Sequence, residues 1–352
     1  MENELLKIFA AFTFAFIIVY LAIPTINRVS RLAQWLDKPS ERKIHKYPVS
    51  RLGGVGIFAA LSIVVLFFVS QREFEALNYF IISVIVLFFI GVKDDILVTA
   101  PLTKFGGQFA AVFILVVFGH IQITNLHGFF HIREIPSWIG IPLTIFTILV
   151  IINAFNFVDG IDGLAATLAI EALVTFGYWF YRREIYHLAI IAFVLTGALL
   201  AYLRYNLSSS DNKIFMGDTG TMLIGITLGL LAVEFNQYAL NFDDLKYFPA
   251  PAVSFGIMII PFYDMLRIIY IRTLTGHKFF QPDTNHIHHV FIRLGFSHRK
   301  TLIILSTLNL LFILLSFELA KFFTIRRLLL IQLLLIGFII YLPARALRKK
   351  EN

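Results

Sequence analysis

Cysteine is absent from this 352-residue chain, which excludes disulfides, thiolate metal sites and cysteine nucleophiles. Charge is scarce as well. Asp, Glu, Lys and Arg together make up 15% of the residues, against about 25% in ordinary soluble domains. What takes their place is apolar: 58% of the residues, including 38 Phe, with a mean hydropathy of +0.80. That composition describes an all-α polytopic membrane protein rather than a large soluble core. The formal net charge of +8 does not point to nucleic acid. Its basic residues sit in loops between apolar runs, where they report membrane topology. There is no internal repeat, no low-complexity region and no separate soluble domain, so residues 1–352 read as a single integral membrane domain.

Eleven apolar runs are long enough to span a bilayer. They lie at Leu5–Asn27, Leu52–Ser70, Leu77–Val92, Thr103–Gly119, Trp138–Ile152, Leu164–Tyr181, Tyr186–Leu203, Gly220–Phe235, Pro249–Thr273, Leu302–Leu319 and Ile325–Leu342. An odd number places the termini on opposite sides. With the N-terminus outside, the cytoplasmic segments hold 21 of the 30 Lys and Arg residues, so the positive-inside rule favours a cytoplasmic C-terminus. Glu2, Glu4 and Lys7 precede the first run and no small-residue cleavage signature follows, so that run is expected to be a retained helix. The outer loop Gln122–Pro136 alternates apolar and polar residues, as a small hairpin would.

With this topology the unusual polar clusters all fall on the cytoplasmic side. The first runs from Asp37 through Arg51 into Gly53-Gly54, where glycines let backbone N–H groups approach an anion. The second is Lys93-Asp94-Asp95. Adjacent carboxylates repel unless a cation lies between them, and Mg²⁺ suits oxygen ligands and phosphates. A solvated loop with Lys93 as counter-ion is the plainer account. The third holds Asn153, Asn156, Asp159 and Asp162 between two apolar helices. An ionised Asp at mid-membrane costs roughly 2.5–3.5 kcal/mol, and helix capping alone does not explain four polar residues so close together. The fourth is Phe215-Met216-Gly217-Asp218-Thr219-Gly220, with Asp218 either an N-cap or a metal ligand. The fifth, from about Thr275 to His298, holds five of the ten histidines: His277, His286, His288, His289 and His298. Protonatable donors that grip a diphosphate fit this cluster better than zinc. Asp264 and Arg267, one turn apart just before it, read by default as an intrahelical pair.

Acids alone would repel a phosphate substrate, whereas acids holding Mg²⁺ would attract one. The mixture of carboxylates with Lys, Arg and His suits a site that brings two anionic phosphates together at the membrane surface.

Arg51-Leu52-Gly53-Gly54, Asp94-Asp95, Asn156-Phe157-Val158-Asp159-Gly160-Ile161-Asp162-Gly163, Met216-Gly217-Asp218-Thr219-Gly220 and His286-Ile287-His288-His289 occur in this order. Together they resemble the polyprenyl-phosphate N-acetylhexosamine-1-phosphate transferase family over nearly the whole chain. The nearest branch is the bacterial undecaprenyl-phosphate GlcNAc-1-phosphate transferases that start O-antigen, common antigen or teichoic acid linkage units. A sister branch, the phospho-N-acetylmuramoyl-pentapeptide translocases of peptidoglycan synthesis, shares the Asp motifs but usually carries a triple-His pattern. A membrane transporter and an aromatic prenyltransferase are the rival classes. The acids cluster at helix ends rather than mid-span, and no repeated Asp-x-x-x-Asp motif is present.

The resemblance implies a Mg²⁺-dependent enzyme, with Mn²⁺ as substitute, in the bacterial inner membrane. Its partners would be UDP-GlcNAc or a related UDP-amino sugar, undecaprenyl phosphate, the lipid bilayer and a second copy as a homodimer. It implies metal or acceptor-activating roles for Asp94 and Asp95, a Mg²⁺ ligand at Asp218, and catalytic or orienting roles for Asn156, Asp159 and Asp162. It implies nucleotide contacts at Asn206 and Phe215, a substrate-binding loop at His286, His288 and His289, and substrate-binding cations at Arg51 and Lys104. The implied reaction is attack of the acceptor phosphate on the β-phosphorus, releasing UMP.

Overall fold

The computed structural model describes residues 2–37, 48–97, 99–208, 212–242, 245, 248–275 and 286–351. The expected His277 and the basic loop residues Lys38 to Lys46 lie outside them. Thirteen α-helices occur among the described residues: α1 (Glu2–Leu32), α2 (Gly53–Phe68), α3 (Leu77–Leu97), α4 (Pro101–Phe113), α5 (Ser137–Val158), α6 (Leu164–Arg182), α7 (Tyr186–Asn206), α8 (Gly217–Tyr238), α9 (Ala250–Ile257), α10 (Ile259–Thr275), α11 (Ile287–Arg293), α12 (His298–Ala320) and α13 (Ile325–Glu351). A π-helical turn, Ile114–Phe118, prolongs α4.

Among the described residues, eight helices are long and apolar enough to cross a membrane: α1, extended α4, α5, α6, α7, α8, α12 and α13. The bent pair α9–α10 makes nine. The other two apolar runs fold as the 16-residue α2 and as α3, whose last turns carry Lys93-Asp94-Asp95. The bundle wears apolar side chains outward, Phe67, Phe89 and Trp138 among them, as a lipid-facing surface must. This is a multi-pass membrane protein.

At the centre lies α8, buried along almost its whole length and in contact with α2, α3, α5, α6, α7 and α9. Lipid offers no hydrophobic drive between helices, so close van der Waals packing has to supply it. Gly225 and Gly229 of α8 provide that closeness, seating Ile152 and Ile148 of α5 against its backbone.

Two features depart from the sequence reading. Leu36–Asp37 (β1) pairs antiparallel with Val49–Ser50 (β2), and Ser50 bridges in parallel to Ile214. The run expected as one helix over Pro249–Thr273 breaks at Met258 and bends by 84°. Pro261 accounts for the break: in a continuous helix its ring would clash with the Ile257 carbonyl, and it has no N–H to donate there. The hairpin expected around Gln122–Pro136 is present. Asn125 bridges to Glu134, and Leu126 N donates to Arg133 O at 2.7 Å.

Candidate active site

The site begins with a backbone splice. Phe215 N donates to Ser50 O at 2.8 Å, Gly53 N to Phe215 O at 3.0 Å and Gly54 N to Met216 O at 2.9 Å. This fastens the start of α2 to the chain entering α8. Gly217 then turns at φ +71°, with the Arg51 carbonyl pressed where a Cβ would stand. An L side chain would be strained there and obstructed. Two motifs distant in sequence thus become one surface.

The N-terminus of α8 presents free N–H groups and a positive dipole end. Asp95 supplies the matching anion. Its carboxylate accepts from Asp218 N at 2.7 Å, Thr219 N at 3.1 Å and Thr219 Oγ1 at 2.6 Å. Its neighbour Asp94 faces the α3–α4 turn, accepting from Thr99 N at 2.7 Å and Thr99 Oγ1 at 2.6 Å. Lys104 of α4 bridges Asp94 at 3.2 Å and Asp218 at 2.7 Å. The adjacent acids are thus held apart by two different partners, a helix end and an ammonium. Asn156, in the last turns of α5, donates to Asp218 and, at 3.0 Å, to Thr221 Oγ1.

Beyond α5 the chain turns back through Asp159-Gly160-Ile161-Asp162, with Gly163 at φ +79° starting α6. Asp162 pairs with Lys213 at 2.5 Å, and the same ammonium lies 5.6 Å from the centre of the Phe215 ring. Asp159 makes no hydrogen bond to the described residues. Its side chain opens onto the cavity and is solvent-accessible there, with protein packed around it on the other sides. Loss of surrounding water, then the charges of Asp218, Asp162 and Asp95, push its pKa up to about 7, with Arg51 opposing.

These side chains line one cavity of about 600 Å³. Of the residues expected from sequence, Arg51, Asp95, Asn156, Asp159, Asp162, Asn206, Phe215, Asp218 and His289 reach its wall. Asp94 and Lys104 stand one contact behind, through Asp218. His286 and His288 do not line it. His288 is buried and packs against the Gly160 backbone, and neither ring nitrogen has a hydrogen-bond partner among the described residues. Burial drives its pKa down to about 3, Asp264 opposing and the neighbouring histidines adding to the fall. It is therefore neutral at pH 7, and not the charged donor that the clustering of histidines suggested.

Asp264 also departs from expectation. Its carboxylate takes His286 Nδ1 at 2.8 Å and Ile287 N at 2.8 Å, in place of an intrahelical pair with Arg267. Sequence reading missed two wall residues, Lys213 and Tyr202, and placed a third, His298, only within the histidine cluster. A single lysine between two motifs carries no spacing signal, and a tyrosine in an apolar helix reads as core.

Among the described residues, no three His, Asp or Glu side chains form a ready-made metal cage. Mg²⁺ does not require one, since it keeps several waters and takes one or two carboxylates plus substrate phosphates. The wall carries five Asp against Arg51 and Lys213, and Asp159 lacks any hydrogen-bonding counterpart. That excess of hard oxygen donors fits such a cation.

Residues 77–236, which hold the second, third and fourth motifs, match Glycosyl transferase family 4. The chain is 32% identical over 286 residues to an undecaprenyl-phosphate alpha-N-acetylglucosaminyl 1-phosphate transferase of Escherichia coli O157:H7, covering 80% of this chain and 75% of that one. It is 29% identical to a protein of the same name from Yersinia pestis, over 87% of this chain and 80% of that one. It is 32% identical to a decaprenyl-phosphate N-acetylglucosaminephosphotransferase of Mycobacterium tuberculosis, over 83% and 77%. With its ordered motifs drawn onto one cavity and these relatives matched along most of its length, the chain belongs to glycosyl transferase family 4, among the polyprenyl-phosphate N-acetylhexosamine-1-phosphate transferases.

Proposed function

We propose that this protein transfers GlcNAc-1-phosphate from UDP-GlcNAc to undecaprenyl phosphate, releasing UMP and starting a cell-envelope glycan. The observation that carries the reading is the single cavity in which Asp159, Asp162 and Asp218 face Arg51, Lys213 and Phe215. It offers a place for two phosphates, a divalent cation and an aromatic face for a base.

In this reading Phe215 and Asn206 hold the uridine, and Arg51 and Lys213 face the diphosphate. The acceptor phosphate enters between helices and attacks the β-phosphorus. A phosphomonoester has its second pKa near 6, so the nucleophile is already largely ionised at neutral pH and little general base is needed. The P–O bond to UMP breaks while the sugar C1–O bond stays intact, so the anomeric configuration is retained. Positioning and charge neutralisation provide most of the rate. Asp159 and Asp218, with the amide oxygen of Asn156, are the proposed Mg²⁺ holders. The ion would neutralise phosphate charge when bound. Asp95, in the wall, holds the α8 N-terminus, and Asp94, one step back, holds Lys104 in place.

The proposed setting is the bacterial inner membrane, with eleven crossings, the N-terminus outside, the cavity at the cytoplasmic face and a homodimer as the assembly. The test incubates purified protein with undecaprenyl phosphate and a panel of radiolabelled UDP-sugars, following lipid product by thin-layer chromatography. A labelled lipid with UDP-GlcNAc and equimolar UMP is expected. Absence of any lipid product across the panel would refute the reading.

A further inference from the structure

Asp264 is 1% exposed, yet it carries a carboxylate, lies outside the cavity and has no part in the chemistry above. Both its oxygens point at the chain entering α11: Oδ2 to His286 Nδ1 and Oδ1 to Ile287 N, each at 2.8 Å. A buried carboxylate is costly unless every oxygen is satisfied, and these charge-assisted bonds are of the strong kind. They fix two things together: where α11 starts and how the His286 ring is turned.

From that ring a run of ring contacts leads to the cavity. His286 lies parallel to His288, with centroids 5.5 Å apart and planes 10° apart. His288 in turn meets His289 with centroids 4.4 Å apart. His288 also presses on Gly160, where any Cβ would collide with its Nε2. Gly160 separates Asp159 from Ile161 and Asp162 in the cavity wall, and His289 stands in that wall itself. Among the described residues the His288 ring has no hydrogen bond to hold it, and it packs between His286 and Gly160. The anchor of the whole run is the pair of bonds at Asp264.

We infer that Asp264 is a positioning residue: it sets the His286–His289 segment and, through His288 on Gly160, the Asp159–Asp162 turn that receives the sugar nucleotide. The substrate part of this inference rests on the proposed function, whereas the mechanical coupling does not. The Asp264 carboxylate touches no substrate. It acts on the donor side of the cavity, away from the Asp94–Lys104 side.

The experiment uses the full chain in detergent micelles and compares wild type with Asp264→Asn and Asp264→Ala. The first readout is hydrogen exchange at 286–293 and at 159–163. Faster exchange in both segments in the variants, with α3 and α4 unchanged, is the expected result. Acceleration confined to 286–293 would overturn the coupling. The second readout is steady-state kinetics. Asp264→Ala is expected to raise KM for UDP-GlcNAc by about tenfold or more and to leave KM for undecaprenyl phosphate within about twofold. Asp264→Asn, which keeps an acceptor for Ile287 N–H, falls between Ala and wild type. An unchanged donor KM, or equal rises in both KM values, overturns the donor-side assignment. Should Asp264→Ala not fold, Asp264→Asn alone decides on both readouts. A wild type without transferase activity sinks the proposed function, and the exchange experiment still judges the coupling.

Discussion

Asp159 is an acid crowded by other acids in the cavity wall. Partial loss of water in the cavity, with the charges of Asp218, Asp162 and Asp95, raises its pKa from 3.8 to about 7, so the folded protein holds this proton more tightly than the unfolded chain does. Stability therefore falls as pH rises from about 4 to about 7, where the folded state must release a proton against its surroundings. In metal-free protein, Asp159→Asn is expected to melt above wild type at pH 8 by on the order of 1 kcal/mol, after discounting for water in the cavity. The gain should vanish near pH 4. Thermal melts followed by intrinsic fluorescence measure this, and equal melting at pH 8 would dismiss the raised pKa. Magnesium offers a companion test: millimolar Mg²⁺ should raise the wild-type melting temperature at pH 8 and leave that of Asp159→Asn nearly unmoved. At Asp218 the expectation is different. Lys104 and Asn156 already meet its charge, so Asp218→Ala should keep the fold and abolish turnover. Activity in micelles at more than about a hundredth of wild type would remove Asp218 from the machinery.

At the scale of elements, glycine and buried amides govern how the helices meet. Gly91 of α3 lies so near α8 that a Cβ would stand 2.8 Å from Thr219 N. Gly91→Ala must part the two helices and loosen the grip of Asp95 on the α8 N-terminus. A loss of about 1–3 kcal/mol is expected, seen as a lowered melting temperature together with lost activity. An unchanged melt would show that the helices have slack. The α9–α10 bend has its own lock. Asn309 of α12 accepts from Ile260 N at 3.4 Å and donates to Ile257 O at 3.2 Å, across the break. Its amide also donates to Glu171 of α6 at 2.9 Å, while Ser306 donates to the other oxygen of that carboxylate. Pro261 opens the helix and Asn309 satisfies what is opened. Asn309→Ala would leave these groups unpaired inside the bundle at a cost of about 1–3 kcal/mol. Faster hydrogen exchange at residues 257–263 would report it, and native exchange rates there would show the lock to be idle.

For the whole molecule, orientation in the membrane is testable by means the composition supplies. With no cysteine in the chain, a single introduced thiol is labelled against no background. In intact cells, Glu134→Cys in the hairpin after α4 is expected to react with a membrane-impermeant maleimide. Ser297→Cys, just before α12 and its cavity-lining His298, should react only after the membrane is opened. Reversed labelling would place the cavity on the outer face and rule out a cytosolic nucleotide as donor.

Periodicity and composition determined the helical class, the positions of the apolar segments and the hairpin after α4, because each depends on residues near one another in sequence. The residue types of the site were legible for the same reason: Asp159 and Asp162 stand out beside apolar helices wherever the chain happens to run. Only the tertiary structure decided how they are used. It gave Asp95 to the end of α8, set Lys104 between Asp94 and Asp218, brought Lys213 from another segment to Asp162, and moved His288 from the expected wall to a place behind Gly160. Each of those outcomes depends on which helix ends meet. That is settled by close packing around α8 and by backbone bonds such as Gly53 to Phe215, between residues that no local pattern connects.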